Sequence, residues 1–258
     1  MNRYQKERML FVAFLALLSL TLNQFGYSYF WIIIPIVLFT MYVAYNAFHL
    51  EEQFFLKSII QGKKGKKGIA ITFDDGPNAK ITPQILAVLE KHNIKATFFC
   101  VGKNAEESPK MLKSIYDAGH TIGSHSYSHS KWIDFSNKKK WRIEIDKSQD
   151  IIESIIGKRP RFFRPPYGVT TPDLAKAITG ANLLSIGWNI RSLDTMNNNV
   201  LDIVERSTRN LQNGCIVLFH DNLEWSGRVL EEFLVRANKM GLEIVPISDL
   251  IDERAYEN

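Results

Sequence analysis

Apolar residues are arranged in two different ways along the chain. Residues 9–22 and 29–47 are almost wholly apolar, carry no formal charge, and are separated by the polar stretch NQFGYS. A membrane span needs roughly 20 apolar residues, so the second stretch is long enough, and the first qualifies by extending through Phe25 and Tyr27. Tyr27, Tyr29, Phe30 and Trp31 suit the headgroup level. No small-residue cleavage pattern follows the first stretch. Residues 1–50 are therefore expected to form a membrane anchor of one or two transmembrane helices. Arg3, Lys6 and Arg8 precede the first stretch, and Lys57, Lys63, Lys64, Lys66 and Lys67 follow the second. The positive-inside rule then gives a two-span hairpin with both ends cytoplasmic, whereas a single span would put the remainder outside. Residues 51–67, ending in QGKKGKK, read as a basic linker or a lipid-touching surface.

From residue 68 to 258 short apolar runs alternate with amphipathic ones. IAITF is a strand, and TPQILAVLEKHN a helix with Thr82 as N-cap and Pro83 in its first turn. ATFFCVG is a strand, followed by one helix over 105–118 that stops at Gly119. TIGSH ends a third strand, and 140–156 has helical spacing. RFFRPP is a fourth strand, leading to a helix capped by Thr171. NLLSIGW, CIVLFH and LEIVPI complete the strands, with helices over 200–212 and around 228–240. Seven strand-helix alternations predict a parallel α/β architecture, either an open sheet or a barrel.

Composition narrows the class. With 258 residues and 45% hydrophobic content the chain can bury a core. The net charge of +5 comes with lysines crowded behind an apolar region, which favours an anionic membrane surface and not nucleic acid as partner. Cys100 and Cys215 lie in apolar runs, as buried thiols without a disulfide framework do.

Ligands of such folds gather beyond the carboxyl ends of the strands. Asp74 and Asp75 end the first strand, His125 and His129 follow the third, residues 164–168 end the fourth, Asp194 follows the fifth and His220 ends the sixth. Adjacent aspartates repel unless solvent, a cation or distinct partners separate them, although DDGP is also a good turn. Two imidazoles four residues apart on one side of a helical turn can grip a cation, with a carboxylate as third ligand and one position open to water. A plain pair of surface histidines remains the alternative.

TFDDGP (72–77), HSYSH (125–129), RPPYG (164–168), a degenerate stretch over 188–194 and LFH (218–220) occur in the order of five family motifs. The chain resembles the polysaccharide deacetylases, the NodB-homology domain of carbohydrate esterase family four. That resemblance implies a distorted (β/α) barrel and a metal-dependent hydrolase that removes N-acetyl groups from amino sugars of a cell-envelope glycan. It implies Asp74 as general base and Asp75, His125 and His129 as ligands of a divalent cation, with zinc expected. It also implies His220 as general acid held by Asp194, Arg164 holding Asp74 charged, and Pro166, Tyr167, Trp188 and Leu218 near substrate, with a backbone N–H by Tyr167 as oxyanion donor. In the fourth motif Arg191 and Thr195 stand where the family has an aspartate and a tryptophan, so a groove-lining aromatic is missing. Two alternatives stay open: a deacylase of a lipid-linked amino sugar at the membrane, and an inactive membrane-anchored binding or assembly protein.

Overall fold

A computed structural model describes residues 2–257. Two apolar helices, α1 (Arg3–Gln24) and α2 (Ile33–Ala47), come first, joined by a 3-10 turn over Tyr29–Ile32. They are antiparallel: Phe11 stacks on Phe39 at 4.0 Å, and the Arg3 guanidinium reaches the Tyr42 hydroxyl at 2.9 Å. At 1.5 Å per residue α1 is about 33 Å long, enough to cross a bilayer core. The side chains of both helices are mostly exposed.

The hairpin stands on the domain. Tyr4 N–H donates to Phe54 O at 3.2 Å, Thr170 N–H donates to Ala47 O at 2.9 Å, and Leu50 lies where a β-carbon on Gly187 would be 2.3 Å away. Phe54 and Phe55 are buried, the Ser58 and Ser185 hydroxyls share a 2.7 Å bond, and Ile59 bridges Ile186. Lys63, Lys64, Lys66 and Lys67 are exposed.

The remaining elements are β1 (Ala70–Asp74), α3 (Thr82–Lys91), β2 (Thr97–Cys100), α4 (Gly102–Glu107), α5 (Pro109–Asp117), β3 (Thr121–Ser124), α6 (Lys138–Ile156), β4 (Phe162–Phe163), α7 (Pro172–Gly180), β5 (Leu184–Ser185), β6 (Ile190–Arg191), α8 (Val200–Thr208), β7 (Ile216–His220), α9 (Ser226–Lys239) and α10 (Ile247–Ile251). The strands form one parallel sheet in the order β5-β4-β3-β2-β1-β7-β6.

The sheet is curved into a half-barrel, and chain length requires it. Strands β5 and β6 lie at opposite edges yet are joined by residues 186–189 alone. Those steps reach at most about 18 Å, whereas seven flat strands would put the edges roughly 29 Å apart. Alternation sorts the strand faces. Ile71, Phe73, Val217 and Phe219 pack outward under the helices, while Ala70, Phe99, Phe162 and Ile216 fill the inner side. Gly123 faces the Phe99 ring, where a β-carbon would sit 2.5 Å from a ring carbon, so only glycine fits.

Four local expectations change. NLLSIGW holds only the two-residue β5, and a strand the pattern did not show, β6, follows it and pairs with β7 at the opposite edge. LEIVPI contributes a single bridge, Ile69 to Ile244, and no strand. The helix expected over 105–118 breaks at Ser108, since Pro109 lacks an N–H and disfavours a helical residue before it. Thr82 does not cap α3. Ile81 holds that position without a side-chain bond, and the Thr82 hydroxyl is committed elsewhere.

Candidate active site

The rim at the carboxyl ends of the strands gathers the singled-out polar residues. On β1 the inward positions are Thr72 and Asp74, and the register sets Asp74 beside His220 of β7. Asp75 follows in the left-handed region at φ 76, which takes it out of the strand's two-face alternation, and both carboxylates reach His125 Nε2, at 3.8 and 3.6 Å. Their hydrogen bonds go to separate partners.

Asp74 is buried and accepts from the Arg164 guanidinium at 2.8 Å. Arg164 is itself fully buried. It also donates to Thr72 Oγ1, Ile186 O and Gly187 O at 2.7, 3.1 and 2.8 Å, and lies 4.1 Å over the Phe99 ring. Its donor fork is spent on fixed acceptors, which a flexible ammonium could not match. Burial pushes the Asp74 carboxyl above its ordinary value, and the Arg164 charge pulls it back.

Asp75 Oδ1 lies 3.6 Å from His125 Nε2 and 3.4 Å from His129 Nε2, and the three donor atoms all fall within 4.8 Å of one another. Ligand bonds of about 2.1 Å in a tetrahedron put donors about 3.4 Å apart, so the spacing fits a cation and is long for direct hydrogen bonds. His125 Nδ1 is 2.8 Å from Arg164 O, which makes Nδ1 the donor and leaves Nε2 free to ligate. Burial, with His129 beside it, pushes the His125 imidazole down to about 3, so it stands neutral, as a ligand must. Asn222 Nδ2 donates to Asp75 Oδ2 at 3.2 Å and Asn104 Nδ2 to Asp75 O at 2.7 Å.

No helical turn brings the two histidines together, contrary to the spacing argument. Residues 125–130 form an irregular loop with Ser126 and His129 at φ 62 and 46. Glu144 of α6 holds it by accepting from Tyr127 N–H and Ser128 N–H at 3.1 and 2.7 Å.

His220 ends β7, and its Nδ1 donates to Asp194 Oδ1 at 2.7 Å, while its backbone N–H donates to Asp194 Oδ2 at 2.8 Å. Burial pulls the imidazole down, but the Asp194 bond and the charges of Asp194, Asp74 and Asp75 outweigh it and carry the pKa up to about 9. Around the rim Tyr167 is 45% exposed, in the left-handed region at φ 57, with its ring 4.6 Å from His129. Pro166 is buried. Trp188 is half-buried against Gly168, with Arg164 and Arg191 at 5.5 and 5.8 Å from its ring. Leu218 is buried one inward position below His220, a floor residue under the site.

Sequence reasoning passed over five residues that the fold brings in: Thr72, Asn104, Glu144, Asp221 and Asn222. Thr72 was visible as the inward neighbour of Asp74 two positions on, and Asp221 and Asn222 as direct continuations of LFH. Nothing local marks Asn104 or Glu144. Asp221 is buried. Its Oδ2 accepts from Thr82 Oγ1 at 2.8 Å, and Oδ1 has no hydrogen-bond partner among the described residues. Burial raises its carboxyl to about 7, against the Thr82 bond and helped by Asp75 and Asp74.

With this geometry in place, comparison with known proteins decides the family. The family model described as polysaccharide deacetylase matches residues 61–184. A peptidoglycan-N-acetylglucosamine deacetylase of Bacillus cereus is 34% identical over 73% of this chain and 70% of its own length. This chain belongs to the polysaccharide deacetylase family. The peptidoglycan-N-acetylglucosamine deacetylase PgdA of Listeria monocytogenes is 33% identical over 74% of this chain, which spans only 40% of that longer protein. A crystallised peptidoglycan N-acetylglucosamine deacetylase superposes with TM-score 0.72 at 31% identity, covering 77% of this chain and 94% of that one. A family-four pseudoenzyme from Bacillus anthracis superposes equally well, with TM-score 0.71 at 27% identity over 77% of this chain and 70% of its own.

Proposed function

We propose that this chain is a membrane-anchored, metal-dependent hydrolase that removes N-acetyl groups from amino sugars of a cell-envelope glycan, with peptidoglycan as the leading substrate. The curated relatives that support this are peptidoglycan and chitooligosaccharide deacetylases. The observation that carries it is the separation of the two aspartates: Asp75 joins His125 and His129 in a ligand-like triangle, while Asp74 stays outside it, held by Arg164.

A divalent cation on Asp75, His125 and His129, zinc by the donor set, supplies Lewis acidity and water activation when bound. Asp74 takes the proton of the attacking water. Its Oδ2 faces the triangle, 3.8 Å from His125 Nε2, and its Oδ1 is tied to Arg164. A burial-raised carboxyl has more proton affinity than a free one, which suits a base. On the other side His220, protonated at neutral pH and oriented through Nδ1 by Asp194, presents Nε2–H to the departing amine. Tyr167 and the face of Trp188 border the sugar.

Residues 1–50 serve in this reading as a two-span hairpin, supported by the exposed apolar surface of α1 and α2 and by their antiparallel docking. A second reading, a lipid-linked amino sugar as substrate, draws on the root of that hairpin. Ala47 meets Thr170 in the loop between β4 and α7, which belongs to the catalytic rim. The inactive alternative shares this fold, as the Bacillus anthracis pseudoenzyme does, so fold alone does not decide between them. Amine release from N-acetylglucosamine oligomers and metal content decide together. Wild type is expected to carry one divalent ion and to lose turnover with chelator, Asp75→Ala to lose the ion, and Asp74→Ala to keep the ion without turnover. Full turnover by Asp74→Ala overturns the role of that residue.

A further inference from the structure

A cleft of about 990 Å³ separates the hairpin root from the domain, lined on one side by Tyr4 and Arg8 and on the other by Phe55, Lys57, Lys138 and Lys176. Its lining contains four cations and no carboxylate. Among the described residues only Lys176 of the four has an ion pair, an exposed one with Asp173 at 3.3 Å. Arg8 is also the last charged residue before an uncharged run that lasts until Glu51. An anion at the level of Arg8 therefore sits where the apolar flank of α1 begins, with Met9, Leu10 and Val12 exposed just beyond. Lys138 continues this surface. The loop before it exposes Trp132 and Phe135, at 73% and 84%, next to Lys131, the aromatic-basic mixture of a membrane interface.

We infer that this cleft holds the phosphate headgroup of an anionic phospholipid, with the acyl chains lying along α1. Charge complementarity selects an anion, and continuity with the uncharged helix selects one that carries hydrocarbon. The bound headgroup wedges the domain against the bilayer with its catalytic rim near the surface. This rests on residues 1–50 being a membrane hairpin, and the two can fail separately.

The test uses the full chain in vesicles of phosphatidylcholine with or without phosphatidylglycerol. Resistance to alkaline carbonate reports the span, and native mass spectrometry of the solubilised protein reports retained lipid. Wild type resists carbonate in both vesicles and retains phosphatidylglycerol over phosphatidylcholine. The triple variant Lys57→Gln, Lys138→Gln, Lys176→Gln still inserts but loses the preference, by about fivefold per lysine. The corresponding three Lys→Arg changes restore it. Carbonate resistance with no headgroup preference, or a preference that the Gln variant keeps, overturns the cleft while the hairpin stands. Displacement by inorganic phosphate reduces it to a simple anion site and overturns the lipid. Extraction by carbonate overturns the hairpin and the inference with it.

Discussion

Asp194→Asn isolates the acid half of the proposed reaction. Asp194 is buried, and both its oxygens accept from His220, from Nδ1 at 2.7 Å and from the backbone N–H at 2.8 Å. An asparagine has one acceptor atom for these two donors, and it carries no charge. The His220 pKa stands at about 9 against an ordinary 6.5, a gap worth roughly 3 kcal/mol of differential interaction. Asp74 and Asp75 supply part of that gap, and burial works against it. Removing the Asp194 charge should therefore lower the pKa by about 1 to 2 units. The assay is amine release from N-acetylglucosamine oligomers across pH 5 to 10, with metal saturating. Activity that needs protonated His220 falls as pH rises through its pKa, so the alkaline limb of kcat/KM should move to lower pH in Asp194→Asn than in wild type. At pH 7 most of the His220 population stays protonated, so kcat should fall far less there than in the alkaline range. The same linkage affects stability. A folded pKa above the unfolded one stabilises fully below about pH 6.5, and this contribution is lost as pH rises through about 9. Asp194→Asn should therefore lower the melting temperature at pH 6 more than at pH 10. An alkaline limb that stays in place with near-normal kcat would refute the acid assignment.

Two further substitutions test the packing under the site. Arg164→Met removes the guanidinium from a fully buried pair and leaves Asp74 uncompensated, so chemical denaturation should show a loss of about 3–5 kcal/mol at pH 7, shrinking at acid pH where Asp74 protonates; an unchanged midpoint would contradict the buried pair. Asp221→Asn replaces a carboxyl held up at about 7 by burial. Because a raised carboxyl pKa costs stability as pH climbs from about 4 to 7, the wild-type melting temperature should fall over that window more steeply than that of the variant. Parallel curves would show that Asp221 titrates normally.

Much of the site was legible because its residue types are confined to strand ends. Asp74, Asp75, His125, His129, Arg164, Asp194 and His220 each close or follow a strand, and parallel topology sends every such end to one rim. The degenerate fourth motif still supplied its aspartate to His220, even though Arg191 and Thr195 replace the family residues on either side. What escaped was set by distance along the chain. Glu144 lies sixteen and seventeen residues from the amides it accepts, and Thr82 lies 139 residues from the carboxylate it reaches. No local pattern encodes such partners.

The amino-acid order alone determined the periodicities, hence a parallel α/β domain behind two uncharged apolar stretches, and the chemistry at the strand ends. Only tertiary structure decided how the edges meet, because residues 186–189 must join strands that a flat sheet would hold too far apart. It also decided that the histidines converge through left-handed loop residues and not a helix. Side-chain alternation is a property of neighbours in sequence, whereas curvature, loop handedness and the pairing of buried charges depend on what the rest of the chain brings alongside.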